Sequence, residues 1–209
     1  MLVKICGLTR PGDAEAAIEA GADMLGFVFA PGTRRFVDPT TAVWIRDLRG
    51  AEKVGVFRDS ELASIIAIRD LLGLDRVQLH GEEPDSWLDA LGPETLRRVE
   101  PRGADPWQRA AMLSGLCLPL FDPGAGDGVA FDWKGLPPRP TGLWVGIAGG
   151  LTPETVAEAV TRVRPAMVDV STGVEASPGI KDPERVAAFV AAARSAVESA
   201  ALDHDEDTP

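Results

Sequence analysis

Two side chains in this sequence have the chemistry of an acid/base pair. Cys6 stands in "VKICGLT" and Asp122 in "LCLPLFDPG". Each closes an apolar run and is followed at once by Gly or Pro, the pattern of a strand running into a turn. A thiol acts as a base only as thiolate, which requires a pKa brought down towards neutrality. A carboxyl acts as an acid at neutral pH only if its pKa is raised, as apolar surroundings do. Alternation along a strand places Lys4 on the face of Cys6, and Leu118 and Leu120 on that of Asp122. With those faces inward, a thiol and a carboxyl look across one cavity from opposite sides of a small substrate. An interior Lys4 then either favours the thiolate or serves a carboxylate such as Asp169. Cys117 is the contrast: it opens the Asp122 strand on the opposite face and is expected to pack against a helix as a small hydrophobe.

Other residues point to an anionic ligand. "GIAGGLTPETV" and "DVSTGVEASPG" each end an apolar run in a glycine-containing turn. Gly149, Gly150 and Gly173 permit close backbone approach, and amides at a helix N-terminus suit an anion such as phosphate. "APGTRRF" carries adjacent Arg34 and Arg35, one of which can face a substrate carboxylate or phosphate as a bidentate partner. His80 closes "RVQLH". The only other histidine, His204, lies in the acidic terminus, so a multi-histidine zinc site is not formed. No close acidic cluster at the strand ends calls for a carboxylate magnesium site either, and a metal centre is not expected.

These residues must be held by the elements that end at them. "LVKIC", "MLGFVFA", "KVGVF", "RVQLH", "LRRVE", "LCLPLF", "GLWVGIAG" and "MVDVS" read as eight near-continuously apolar strands, as in a parallel sheet buried on both faces. Helical stretches separate them, including "DPTTAVWIRDLRG" after the second and "EPDSWLDALG" after the fourth. Only a short helix fits the Gly/Pro-rich passage after the sixth. An open doubly wound sheet accepts such alternation, but eight uninterrupted units favour a single (β/α)8 TIM barrel, with its chemistry at the C-terminal strand ends. Residues 1–200 are expected to form the barrel and 201–209, ending "DHDEDTP", an acidic disordered tail.

The chain has 209 residues and a formal net charge of −11, which disfavours nucleic acid and anionic membranes as partners. No apolar run is long enough to span a bilayer. The N-terminus has no basic segment leading into an apolar core, so export is not expected. Two cysteines without such a segment suit a reducing, cytoplasmic compartment.

The segments "VKICGLT", "GADMLGFVFAPGTRRFV", "VGVF", "VQLHGEEP", "AGGLTPETV" and "VDVSTGVEASPGIKD" together resemble the phosphoribosylanthranilate isomerase family of tryptophan biosynthesis, from first strand to last helix. The resemblance implies a (β/α)8 barrel without cofactor, monomeric or homodimeric, acting on a small anionic phosphosugar by an Amadori rearrangement. It implies Cys6 as general base, Asp122 as general acid and Arg35 as the holder of the anthranilate carboxylate. Gly149, Gly150, Ser171, Thr172 and Gly173 fall in the implied phosphate loops, His80 among the substrate-binding residues, and Lys4 and Asp169 behind them. Two positions depart from the family pattern: Val129 stands where a lysine is common, and Ala148 where a serine is. The related isomerase shared between histidine and tryptophan synthesis would need a second anion loop, yet the ends of strands three and four turn acidic beyond Arg58. A non-catalytic phosphosugar-binding barrel would have no need of Cys6, Asp122 and Arg35 together.

Overall fold

The computed structural model describes residues 1–101, 105–123, 131 and 133–205. Asp127 and Val129, in the stretch 124–130, lie outside the described residues, as do residues 206–209.

The apolar runs pair as a closed, all-parallel barrel. Its strands are β1 (Leu2–Cys6), β2 (Met24–Val28), β3 (Glu52–Phe57), β4 (Arg76–Leu79), β5 (Leu96–Val99), β6 (Leu118–Phe121), β7 (Gly146–Ile147) and β8 (Met167–Val170). The ring closes where β1 meets β8, Leu2 opposite Met167 and Lys4 opposite Asp169. Helices α1 (Pro11–Glu19), α2 (Leu62–Leu72), α3 (Leu88–Leu91), α4 (Gln108–Leu113), α5 (Val156–Val163) and α6 (Pro183–Asp205) follow strands one, three, four, five, seven and eight. Helix α6 therefore continues past residue 200, the expected end of the barrel.

Alternate strand residues divide two cores. Met24, Val54, Leu96, Leu120, Ala148 and Met167 fill the barrel's interior. Val3, Ile5, Leu25, Phe27, Phe57 and Phe121 point outward, into the larger core shared with the helices. Each such side chain contributes about 1.5–3 kcal/mol of burial. Cys117 belongs to this outer core, its Sγ 3.9 Å from the Leu113 carbonyl of α4, as its strand face predicted.

Three local expectations are revised. The helix expected over "DPTTAVWIRDLRG" is only a 3-10 turn, Val43–Asp47. The Asp38 carboxylate accepts from the Thr40 amide and hydroxyl, at 2.9 and 2.7 Å, and such local bonds compete with a helix. "EPDSWLDALG" divides into a 3-10 turn, Asp85–Trp87, and the single-turn α3. Of "GLWVGIAG" only Gly146–Ile147 pairs as strand. A hairpin of β9 (Glu175–Ser177) and β10 (Ile180–Lys181), unforeseen in the sequence, stands between β8 and α6.

Candidate active site

The C-terminal strand ends open into a cavity of about 900 Å³. Every predicted site residue except Lys4 lines it: Cys6, Arg35, His80, Asp122, Gly149, Gly150, Asp169, Ser171, Thr172 and Gly173. Lys4 lies beneath, wholly buried. A hollow of similar size, about 890 Å³, runs between α5 and α6. Its lining of Ala157, Ala192, Ala196 and neighbouring exposed polar groups contains none of the strand-end chemistry.

The Cys6 wall rests on Lys4. Lys4 Nζ lies 3.0 Å from both Asp169 carboxylate oxygens, and its charge also acts on the Cys6 thiol. The interior lysine thus serves the carboxylate and the thiol at once. A Cβ on Gly26, the β2 residue opposite Cys6, would come within 2.8 Å of Cys6 Sγ and 3.0 Å of Lys4 Nζ. Glycine leaves that space to the pair.

Electrostatics here revise one expectation. Burial pushes the Cys6 thiol up; Lys4 and Lys181 pull it down, but by less. The thiol is raised, not lowered. Burial also opposes charge on Lys4 and on Asp169, yet Asp169 and Cys6 hold Lys4 above its usual value. Asp169 is raised by burial against the pull of Lys4. Symmetric contact of Nζ with both oxygens is the geometry of an ammonium facing a carboxylate, and we take the pair as ionised.

Gly7 follows Cys6 with φ +74, and a side chain there would collide with the Arg35 stem and crowd the Ser171 hydroxyl. Arg35 therefore crosses the barrel mouth over Gly7. Its Nε and Nη2 donate to the Glu175 carboxylate at 2.7 and 2.8 Å, and Nη2 also to Thr172 Oγ1 at 3.1 Å. The Nη1 edge of the fork carries none of these bonds. Arg34, also at the cavity, is exposed.

The Glu175 side chain is almost fully buried. Burial alone would raise its carboxyl, but Arg35 and Lys181 outweigh burial and hold it below the usual range. Lys181 Nζ bonds Glu175 and the Ser171 carbonyl, both at 3.0 Å, and burial lowers its pKa. Sequence reasoning assigned neither residue a role. Both lie in the quoted motif "VDVSTGVEASPGIKD", but only the hairpin fold brings them together under Arg35.

The opposite wall carries Asp122. Its amide donates to the Val99 carbonyl at 3.1 Å, and Arg98 Nε donates to its carbonyl at 3.1 Å. Its Oδ2 lies 3.9 Å from His80 Nε2. His80 is lowered to about 3, first by burial and then by Arg98, Lys4, Arg58 and Arg97. It is an uncharged imidazole at neutral pH, although some of the ring meets the cavity. Arg97 holds the loop after β4 through the Gly81 and Glu83 carbonyls, at 2.9 and 2.8 Å.

At the remaining edge, the β7 and β8 turns converge. Gly149 and Gly150 both take positive φ, +95 and +67. The Ser171 hydroxyl is buried with no hydrogen-bond partner among the described residues. An orphaned buried hydroxyl is costly unless a ligand meets it, and this is where barrels of this class bind phosphate. Among the described residues no group of His, Cys, Asp and Glu is arranged to hold a metal, and no helix is long and apolar enough to cross a membrane.

Comparison with known proteins agrees with this geometry. Residues 3–192 match the family N-(5'-phosphoribosyl)anthranilate (PRA) isomerase. An N-(5'-phosphoribosyl)anthranilate isomerase from Citrifermentans bemidjiense is 41% identical over 198 residues, covering 92% of this chain and 96% of that protein. The crystal structure of phosphoribosyl anthranilate isomerase from Thermus thermophilus superposes with a TM-score of 0.82 at 36% identity, covering 93% and 99% of the two chains. A phosphoribosyl anthranilate isomerase crystallised with reduced 1-(o-carboxyphenylamino)-1-deoxyribulose 5-phosphate gives a TM-score of 0.79 at 33% identity, covering 93% and 100%. With matches this extensive in sequence and fold, the chain belongs to the N-(5'-phosphoribosyl)anthranilate isomerase family.

Proposed function

We propose that Cys6 and Asp122 carry the acid/base chemistry of this isomerase. The chain is an aldose–ketose isomerase of L-tryptophan biosynthesis. Its reaction turns N-(5'-phosphoribosyl)anthranilate into 1-(2-carboxyphenylamino)-1-deoxyribulose 5-phosphate.

In this reading Asp122 gives its proton to the ribose ring oxygen. The C1′–O bond breaks and the anthranilate nitrogen lone pair forms the Schiff base. Cys6, as thiolate, removes the C2′ proton, and those electrons neutralise the iminium to give the enolamine. Tautomerisation yields the ketone. The observation that carries the reading is the placement of one thiol at the end of β1 and one carboxyl just after β6, in the lining of a single cavity. Because burial raises the thiol, its ionised form needs nearby positive charge. Lys4 supplies part of that charge, and the iminium supplies more as it forms.

The substrate's two anionic ends have separate places. The Nη1 edge of Arg35, aligned by Glu175, takes the anthranilate carboxylate. Ser171, Thr172, Gly173, Gly149 and Gly150 surround the phosphate, with the Ser171 hydroxyl as a donor. His80 completes the sugar's surroundings. Both cysteines are free, as a reducing compartment requires, and we place the enzyme in the cytoplasm.

The test follows the loss of substrate fluorescence with Cys6→Ser, Asp122→Asn and Cys117→Ser. Loss of a positioned acid or base costs about a hundredfold or more in kcat, whereas Cys117→Ser should alter stability more than turnover. Near-wild-type activity of either site variant would remove that residue from the mechanism.

A further inference from the structure

Strand β4 and the residue that follows it line the cavity with two polar side chains, Gln78 and His80. Gln78 is buried, flanked in register by Val56 of β3 and Leu96 of β5. Its Nε2 lies 3.2 Å from His80 Nδ1. Its Oε1 has no partner among the described residues.

An amide nitrogen can only donate. The Gln78 contact therefore requires Nδ1 to be the unprotonated ring nitrogen. Four cationic side chains bear on the ring: Lys4 from β1, Arg58 beyond β3, and Arg97 and Arg98 of β5. Burial first, and these cations after it, keep the ring uncharged, so its one proton must sit on Nε2. That nitrogen faces Asp122 Oδ2, an oxygen that accepts once the carboxyl has ionised. In the reverse arrangement the amide, turned over, buries an unpaired NH2 group, and a proton on Nδ1 leaves Nε2 with no N–H to offer Asp122 once that carboxyl has ionised.

We propose that Gln78 is a positioning residue that locks His80 as its Nε2–H tautomer, keeping an uncharged donor turned towards Asp122 at the barrel mouth. The proposal rests on the reading of Asp122 as the acid. When Asp122 releases its proton, its carboxylate gains a donor that was never charged and never titrates with it. At 3.9 Å the contact is longer than a hydrogen bond, and small ring or carboxylate movements on substrate entry would close it. His80 itself neither gains nor loses a proton in this scheme. Gln78 touches no reacting atom, and its effect passes through the imidazole.

The chain's two histidines make the assignment accessible to 15N imidazole NMR, with His204→Gln identifying the second ring. Wild type should show His80 as the Nε2–H tautomer at neutral pH. Gln78→Glu, followed to alkaline pH where its carboxylate is ionised and can only accept, should move the proton to Nδ1. Gln78→Met, similar in size and without a donor, should give a mixture. Turnover should fall with the Nε2–H population, by about a hundredfold at full inversion, the order of losing a donor to developing charge, while KM changes little. An Nδ1–H ring in wild type would overturn the proposal. So would Nε2–H persisting with the ionised glutamate, or inversion with kcat unchanged. The tautomer is read without turnover, so failure of the acid assignment, judged by Asp122→Asn, is a separate result.

Discussion

Replacing Lys4 by methionine keeps the length of the side chain and removes its charge from the barrel interior. Two quantities should change. The first is stability: Asp169 would be left buried without its partner, and breaking a buried pair in this way costs about 3–5 kcal/mol. The second is the ionisation of Cys6. Unit charges about 4 Å apart at an effective dielectric constant of 20 interact by about 4 kcal/mol. Asp169 raises the thiol while it is charged and takes up a proton more readily without Lys4, which offsets part of this. A remainder of about 1.4–2.8 kcal/mol means a tenfold to hundredfold smaller thiolate population, and kcat/KM should fall by that factor. Thiolate absorbance against pH, recorded in a Cys117→Ser background, reads the ionisation, and urea unfolding reads the stability. The double variant Lys4→Met/Asp169→Asn separates them. It removes both buried charges and should regain most of the stability, yet its thiol still lacks the ammonium and its activity should stay low. A Lys4→Met thiol that ionises at the wild-type pH or below would refute the reasoning, as would recovery of full activity in the double variant.

Arg35→Ala should raise KM by about tenfold or more, the worth of a charge-assisted hydrogen bond, and exposed Arg34→Ala should change it little; the reverse order in steady-state kinetics would mean the carboxylate is read by the other arginine. Glu175 has a folded-state pKa below its unfolded value of about 4.5. Its stabilisation is therefore complete above that pH and lost as pH falls through the folded value. The urea midpoint of wild type should drop more steeply on acidification than that of Glu175→Gln. A chain ending at Ala200 should keep its kcat within about twofold if the remaining residues are a dispensable tail, and an unfolded or inactive product would extend the catalytic unit into the end of α6.

The barrel was readable because a strand covered on both faces must be apolar along its length, and eight such runs alternate with polar, helix-forming stretches. Residue alternation along the first strand put Lys4 and Cys6 on one face before any coordinates. What could not be read depended on neighbours far apart in the chain. Lys4 is visible as a charge beside Cys6, but the desolvation that outweighs it comes from the whole closed barrel. Arg35 was legible as an arginine near the mouth, while its engagement with Glu175 requires a hairpin whose strands are only three and two residues long. The segment after β2 misled because its apolar residues have helical spacing, whereas Asp38 and Thr40 satisfy each other locally. Gln78 gave one signal in retrospect: a polar residue on the same face of the chain as His80, two positions before it.

The seam between β1 and β8 has a consequence for how the chain matures. Cys6 lies on the first strand of the barrel, but the carboxylate that pairs with Lys4 on that strand lies 165 positions after it. The Thr9 hydroxyl donates to the Gly179 carbonyl, and the Lys181 amide to Asp13, across similar separations. Until the eighth strand docks, the emerging chain carries an ordinary, solvated cysteine with an ordinary reactivity towards oxidants and alkylating agents. Closure both buries that sulfur and surrounds it with Lys4 and Lys181, so a pulse of thiol reagent during refolding would record the moment the ring closes. Such long-range closure is slow compared with local helix formation, leaving an interval in which the future base is chemically exposed.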